Sequence, residues 1–514
     1  MAGVPACILA AFWMFLWLVP SIDAQDTLQK AVMLVQQGRL DEAAQQAQLA
    51  LSDPEARAAA YSVLGGIRLQ QKRLADSAAL LQKAIEIEPR LLGAHLNLAQ
   101  VYTLQGRSDL AIGQFRRVLD LDPLNAAARL ALARAETENE HYRQALDLAQ
   151  PVIARFKESP DGLFVLATDF LKLGNRSDAA ALAGDWMRLA NVPSEWSIKF
   201  ALLLIKERIV STGIEILERA RSTGPPSYEL AFNLGGAYVL QRDWARALDA
   251  YDAALAAKPD SVQALRQAAG IAEQQGELER SLSYWIRARK LEPADPGTLL
   301  GFGRVCLKMD LLDDAEPALS EAARLRPEDT VAQYTLAAAK VGKRQFEAAE
   351  GLLQALVTKR PADAQLQYAL GSVFYVQGKL PEAAAHLRES LRLEPEQLAS
   401  QYYLALVARD QGDERAAIEM LERLTRSHPD HAASCEALGA LLMNAQRYAD
   451  AEMNLRNAVR LNPKSVKANY QLGLLLARMG RKDEADKQLE LAKTLRKEDE
   501  ETSRLQLRLL DPGK

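Results

Sequence analysis

The feature that most limits what this chain can become is a period of 34 residues. Stepping by that interval in both directions from Gly371 meets Ala31, Gly65, Ala99, Ala133, Ala167, Ala201, Gly235, Ala269, Gly303, Ala337, Ala405, Gly439 and Gly473. Every member of the series is Gly or Ala. Twelve residues further on, a second series runs Ala43, Ser77, Ala111, Ala145, Ala179, Gly213, Ala247, Ser281, Ala315, Ala349, Ala383, Ala417, Ala451 and Ala485, with nothing larger than Ser. Proline keeps the same register at Pro89 and Pro123, and then in every period from Pro225 through Pro259, Pro293, Pro327, Pro361, Pro395 and Pro429 to Pro463. Self-similarity at such a period marks a stack of like supersecondary units, each too small to bury its apolar face alone.

Each unit holds two amphipathic segments of about 14 residues, a length that suits helices better than strands. They meet at a turn near Gly106, Gly276, Gly378, Gly412 or Gly480. Units begin at residues 24, 58, 92, 126, 160, 194, 228, 262, 296, 330, 364, 398, 432 and 466. The small residues at positions 8 and 20 stand where two antiparallel helices cross, because only Gly, Ala or Ser lets the backbones come close. Leu or Phe at position 7 (Leu64, Leu98, Phe200, Leu234, Phe302, Leu370) fills the space between them. Pro at position 32 ends the second helix, since it has no N–H and disfavours helix in the residue before it.

These residues resemble the tetratricopeptide repeat family, whose pattern is Leu-Gly/Ala at 7–8, Tyr at 11, Ala at 20, a bulky residue at 24, Ala at 27 and Pro at 32. The seventh unit shows it in Leu234-Gly235, Tyr238, Ala247, Tyr251, Ala254 and Pro259. The eleventh has Leu370-Gly371, Phe374, Ala383, Leu387 and Pro395, and the thirteenth Leu438-Gly439, Ala451, Leu455, Ala458 and Pro463. The resemblance implies an all-α, right-handed superhelical solenoid of fourteen helix-turn-helix repeats over 24–499. The last residues, 500–514, are expected to form a capping helix that solvates the end of the stack.

Repeats 4 to 6, over 126–227, match least well. Position 32 is Lys157 and Asn191 where Pro is usual, and Pro151 falls inside a second helix, which it is expected to kink or shorten. Either the array has drifted here or the segment forms a bend or docking region.

The first twenty-four residues stand apart from the repeat. Val4 to Val19 is uncharged and carries Phe12, Trp13, Phe15 and Trp17, and Ala24 follows a short polar stretch. This arrangement fits a secretory signal peptide cleaved after Ala24, despite the lack of an early Lys or Arg and the bulk of Ile22. The rival is an uncleaved anchor, for which the run is short, since a spanning helix needs about 20 residues. Export to a periplasmic or secreted location is therefore expected, with membrane contact only through this segment if it is retained.

Composition removes several function classes. The chain of 514 residues has 63 Lys+Arg against 67 Asp+Glu, a net charge of −4, so no basic excess is present to displace counterions from nucleic acid. With 49 % hydrophobic residues it is too apolar for disorder. Its 3 cysteines cannot build a disulfide framework. No GxxxxGK[ST], HExxH, GxSxG or paired CxxC pattern occurs, and Gly301-Phe302-Gly303 is half a dinucleotide motif in a helical position. His95, His141 and His386 read as isolated surface or groove residues. His428, His431 and Cys435 alone have ligand-like spacing, but Pro429 puts the histidines in a turn and Cys435 at a buried position. No enzyme activity, metal or cofactor is expected.

The resemblance implies binding through a concave groove lined by positions 2, 5, 9, 12 and 13 of each first helix. Position 5 carries Phe232, Arg266, Tyr334, Tyr368, Tyr402 and Tyr470, and Tyr375 at position 12 adds to them. This ladder is expected to grip an extended or helical peptide. The carboxylate clamp of chaperone-cofactor arrays, which needs Asn at position 9, is absent: Arg304, Ala338 and Ser372 stand there. Two readings follow. One is an exported, non-catalytic scaffold that holds partner proteins during assembly of an envelope, secretion or polysaccharide-export complex. The other is a carbohydrate-contacting module that uses the tyrosines as a stacking platform.

Overall fold

The structure, a computed structural model, describes residues 22–509. The apolar run Val4 to Val19 and the final residues 510–514 lie outside the described residues. Among the described residues all regular elements are helices, paired in the 34-residue step. Repeat 2 pairs Arg57–Gln70 with Leu74–Ile87, and repeat 11 pairs Ala364–Val376 with Leu380–Leu393. The chain divides into two compact units, Met1–Ile271 and Ala272–Lys514, each a stack of such pairs.

The turn inside each repeat is set by one backbone conformation. Position 15 has positive φ in all fourteen repeats, from 58° at Arg344 to 89° at Gly412. It is the left-handed residue that closes the first helix, where glycine carries no Cβ penalty. Seven repeats supply Gly and the others Lys72, Glu140, Arg208, Arg242, Asp310, Arg344 and Gln446. The seven non-glycine turns show why glycine spacing alone under-reports the repeat.

The helix crossing follows from the small residues at positions 8 and 20. A Cβ on Gly371 would stand 2.9 Å from Leu387 Cγ, and one on Gly439 2.6 Å from Leu455 Cγ. The large residue at position 24 thus occupies the volume that position 8 leaves empty. Ala247, Ala315, Ala383 and Ala451 at position 20 are completely buried. In repeat 2, Ser77 at position 20 donates to the Gly65 carbonyl at 2.7 Å. Gly301 and Gly303 have the same role, facing the Trp285 ring and Leu319 respectively.

Consecutive repeats are tied by a clip at position 4. Gln367, Gln401 and Asn469 donate to the carbonyls of Pro361, Pro395 and Pro463, at 2.9, 2.7 and 3.0 Å. Arg129 makes the same bond to Pro123, and His95 Nε2 lies 2.9 Å from the Pro89 carbonyl oxygen. His95 is therefore a buried clip, 5 % exposed, and not the surface or groove residue expected. Cys435 cannot donate this way, and Asn457 takes over, bonding the Pro429 carbonyl at 3.1 Å and the Cys435 sulfur at 3.3 Å. The ligand-like spacing at the thirteenth repeat is thus a variant of the clip. Cys306 and Cys435 are buried free thiols.

Repeats 4 to 6 depart from this plan. The second helix of repeat 4 is split into Tyr142–Ala149, a 3₁₀ turn Gln150–Val152 around Pro151, and Ile153–Phe156, as the proline requires. In repeat 5 the second helix, Arg176–Trp186, is short, and Trp186 stands at position 27 where Ala is usual, with Ala183 at position 24. The indole stacks on Phe200 of repeat 6 at 4.2 Å and 6° between planes. Asn191 takes positive φ in the position usually held by Pro, a conformation Asn tolerates.

At the C-terminus one helix runs from Lys482 to Leu509. The separate capping helix expected from Glu500 is instead an uninterrupted extension of the last repeat's second helix, because no Gly or Pro breaks it before Leu509.

Candidate functional site: the first-helix face

In the second unit the candidate residues stand on successive first helices, Thr330–Gly342, Ala364–Val376, Leu398–Asp410, Ala432–Asn444 and Val466–Arg478. Asp329, Asp363 and Ser465 cap three of these by accepting from the backbone N–H groups of Ala332, Leu366 and Ala468. Fixed starts put position 5 on the same face in each repeat.

Tyr334, Tyr368 and Tyr402 are half-buried and pack against the core instead of standing as free rungs. The sequence reading did not single out Tyr403 at position 6, which links Tyr368, Tyr375 and Tyr402. Its ring lies 5.9 Å from Tyr368, 5.5 Å from Tyr375 and 5.6 Å from Tyr402. Tyr402 also meets His431 edge-on at 5.4 Å. A second bulky residue beside a position-5 aromatic was the available signal. Edge-to-face pairs of this kind are worth about 0.5–1.5 kcal/mol beyond area burial.

The hydroxyls are engaged as well. Tyr334 accepts from Gln365 of the next repeat at 2.9 Å. Tyr375 donates to Asp410 Oδ2 at 2.8 Å and accepts from Arg409 at 3.0 Å. Burial pushes the Tyr368 phenol up to about 12, and burial with the Asp410 hydrogen bond does the same to Tyr375. Burial, then the Glu436 charge, raises Tyr402. The Arg409 hydrogen bond holds Asp410 below the usual carboxylate range. These contacts brace one repeat against the next, so the tyrosines are structural before they are available to a ligand.

The remaining candidates do not join this cluster. Phe232 is in the first unit, edge-on to Tyr251 at 5.4 Å and stacked on Tyr228 at 5.6 Å. Arg266, also in the first unit, is half-buried. Tyr470 is the open one, 51 % exposed. Val331 at position 2 and Val376 at position 13 are exposed on the same face, 53 % and 48 %. The accessible part of this face is mixed, since Gln365 and Lys467 at position 2 and Asp410, Asn444 and Arg478 at position 13 are exposed as well, and most of its aromatics are set behind.

Toward the start of the second unit the face becomes charged. Glu273, 8 % exposed, pairs with Arg304 at 2.7 Å and Lys308 at 2.8 Å. Burial raises its carboxyl, but the hydrogen bonds from Arg304 and Lys308 outweigh this and hold it below the ordinary range. Among the described residues, no group of three His, Cys, Asp or Glu side chains is placed to hold a metal ion. His386 is half-buried, stacked on Phe374 at 5.4 Å and bonded to Gln367 at 2.7 Å, which removes it from the isolated group. His141 is exposed and paired with Glu136 at 2.8 Å.

Comparison with known proteins gives a consistent family. The tetratricopeptide repeat model matches residues 28–90, 96–160, 199–262, 232–297, 334–397, 402–452 and 436–497. A curated relative, the CTR9 homolog of Arabidopsis thaliana, is 22 % identical over 292 residues, 55 % of this chain and 27 % of that protein. The chain thus spans about a quarter of the length of the curated relative it matches. Among solved structures, a tetratricopeptide repeat protein from Parabacteroides merdae is 18 % identical, with TM-score 0.40, over 49 % of this chain and 98 % of its own. The Cut9–Hcn1 hetero-tetramer of the APC/C gives 15 % identity and TM-score 0.40, over 85 % and 93 %. Yeast Tom70 gives 16 % and 0.34, over 92 % and 96 %.

Proposed function

The chain belongs to the tetratricopeptide repeat family, and on that premise we propose that it is a non-catalytic scaffold that captures a protein or peptide partner on the first-helix face of its second unit. Arrays of this family are protein-interaction scaffolds. The observation that carries the reading is the exposure of Val331, Val376 and Tyr470 on first helices whose neighbouring tyrosines are locked in place. Exposed apolar side chains on a braced frame suit a partner's apolar side chains, since little ordering entropy is lost on this side, and the exposed polar residues between them suit its polar groups. The finer reading is assembly of an envelope, secretion or polysaccharide-export complex in an exported location. It rests on the expected signal segment at 1–24, most of which lies outside the described residues.

The test uses residues whose loss leaves the core intact. The full chain and its Val331→Ser, Val376→Ser, Tyr470→Ser variant are used to capture partners from an extract of the source, with folding checked by circular dichroism. A dominant protein lost from the folded variant is the expected result. An unchanged set of captured proteins overturns the assignment of this face. Retention of a glycan that the variant loses would favour the carbohydrate reading.

A further inference from the structure

Outside the first-helix face, one buried carboxyl has no structural partner adequate to its charge. Asp169 lies on the first helix of repeat 5, Pro160–Lys172, and is completely buried. Its Oδ1 is 2.8 Å from the Thr137 hydroxyl of repeat 4, and its Oδ2 has no hydrogen-bond partner among the described residues.

The donor count at this contact is decisive. A threonine hydroxyl has one hydrogen. Thr137 Oγ1 lies 2.9 Å from the Ala133 carbonyl, one helical turn back, and that carbonyl oxygen can only accept. If the hydroxyl donates to Ala133, the oxygen of Asp169 must bring its own hydrogen. A protonated Asp169 completes the chain: its O–H donates to Thr137, which donates to Ala133. An ionised Asp169 would compete with Ala133 for one hydrogen and leave a charged oxygen buried without a partner, which is the costly outcome.

Among the described residues, the surrounding charges offer no alternative counter-ion. From Ala126–Glu138, Arg134 pairs with Asp161, Glu136 with His141, and Arg129 with backbone carbonyls, while Glu138 is exposed. On Tyr142–Ala149 both Arg143 and Asp147 are exposed and Tyr142 is half-buried, and on Ile153–Phe156 Arg155 pairs with Glu158. From Arg176–Trp186, Arg176 pairs with Glu207 and Asp185 with Lys157 and Arg188, while Asp178 is exposed. From Ser194–Lys206, Glu195 pairs with Lys199 and Lys206 is exposed, as is Lys172 on the helix of Asp169 itself. Burial raises the Asp169 carboxyl to about 7, against the lowering effect of Thr137, and none of these charges contributes.

We propose that Asp169 holds a proton and makes the seam between repeats 4 and 5 a pH-sensitive joint, tight in acid and looser toward neutral pH. The sign follows from linkage. The folded joint keeps the proton up to about 7, whereas an unfolded chain releases it near the ordinary value of 3.8. The stabilisation is complete below that ordinary value and is lost as pH rises through the folded one. The joint coincides with the proline-broken helix of repeat 4, where the array has least regular support. This inference does not depend on the first-helix face.

Infrared spectroscopy of the full chain at pH 6 is the direct test, since ordinary carboxyls are ionised there. The wild type should show the C=O band of a protonated carboxylic acid that Asp169→Asn lacks and that disappears by pH 9. Thr137→Val, which removes the acceptor but keeps the acid, should shift the band. Absence of the band at pH 6, or a band that neither variant changes, overturns the proposal. Hydrogen exchange gives the energetic readout. After correction for intrinsic rates, opening of residues 126–186 should increase about tenfold per pH unit from about 4 to about 7 in the wild type. In Asp169→Asn that slope should vanish; equal slopes in the two chains overturn the joint.

Discussion

In repeat 11, Leu387 at position 24 fills the space opposite Gly371, and the small Ser390 lies at position 27. In repeat 5 the order is reversed: Ala183 takes position 24, and Trp186, one turn further on, carries the volume across to Phe200 of repeat 6. Both arrangements bury their large residue almost completely. The comparison teaches that the repeat specifies a volume to be filled, and leaves open which turn of the second helix supplies it. Volume-conserving exchange is what cores tolerate best. The consequences remain local: a second helix that stops at Trp186 and a left-handed Asn191 in place of Pro.

The largest effect that could break this comparison is Trp186→Ala. Removing a buried indole is expected to cost about 3–5 kcal/mol. Because arrays do not unfold in one step, hydrogen exchange over 160–223 reads the loss better than a global midpoint. A cost below about 1 kcal/mol would show that Trp186 is filler and that the exchange of volume is accidental.

Next is the pair Gly162→Ala and Gly371→Ala. A Cβ on Gly162 would run into the backbone carbonyl of Phe156, while one on Gly371 would meet the movable Leu387 side chain at 2.9 Å. Backbone cannot step aside as a leucine can. The first change should cost about 3 kcal/mol and the second about 1. Comparable exchange in both variants would mean that the seam after Pro151 is already loose.

A third test addresses the regular half. Tyr368 and Tyr375 hold their protons to about 12, chiefly because they are buried. Raised folded values mean stability that is intact below about 10 and declines as pH rises toward 12. Phenolate absorbance should show a late step that shrinks in Tyr368→Phe and again in Tyr375→Phe. A titration complete by pH 11 would return these residues to the role of open rungs.

The period, the helix pairs and the shortened helix at Pro151 were legible because each depends on residue type at a fixed position. The openness of the tyrosines was not, because it depends on what fills position 6, and Tyr403 is the only tyrosine there. Asp169 was illegible for another reason. A lone Asp in a helical pattern reads as a solvated face, and only the contact with Thr137, across the seam between two repeats, reveals its burial. Trp186 and Ala183 could have been read as an exchange from the sequence, had positions 24 and 27 been compared within every repeat.

The smallest effect distinguishes the two kinds of turn. The backbone at position 15 is left-handed whether or not the residue is Gly, so a non-glycine residue there carries strain that Gly would relieve. Replacement by Gly also adds freedom to the unfolded chain, which offsets part of the gain. The net expectation for Arg344→Gly or Lys72→Gly is a stabilisation of about 0.5–1 kcal/mol. Asp310→Gly should gain less, because Asp tolerates this conformation better than Arg or Lys. The reverse change, Gly378→Ala, should lose about 1 kcal/mol even though no atom stands within 4 Å of the added Cβ. Local opening free energies from hydrogen exchange of each altered repeat, raised over wild type more by Arg344→Gly than by Asp310→Gly and lowered by Gly378→Ala, would show that backbone conformation, and not packing, selects glycine at this position. A Gly378→Ala chain as stable as wild type would contradict that.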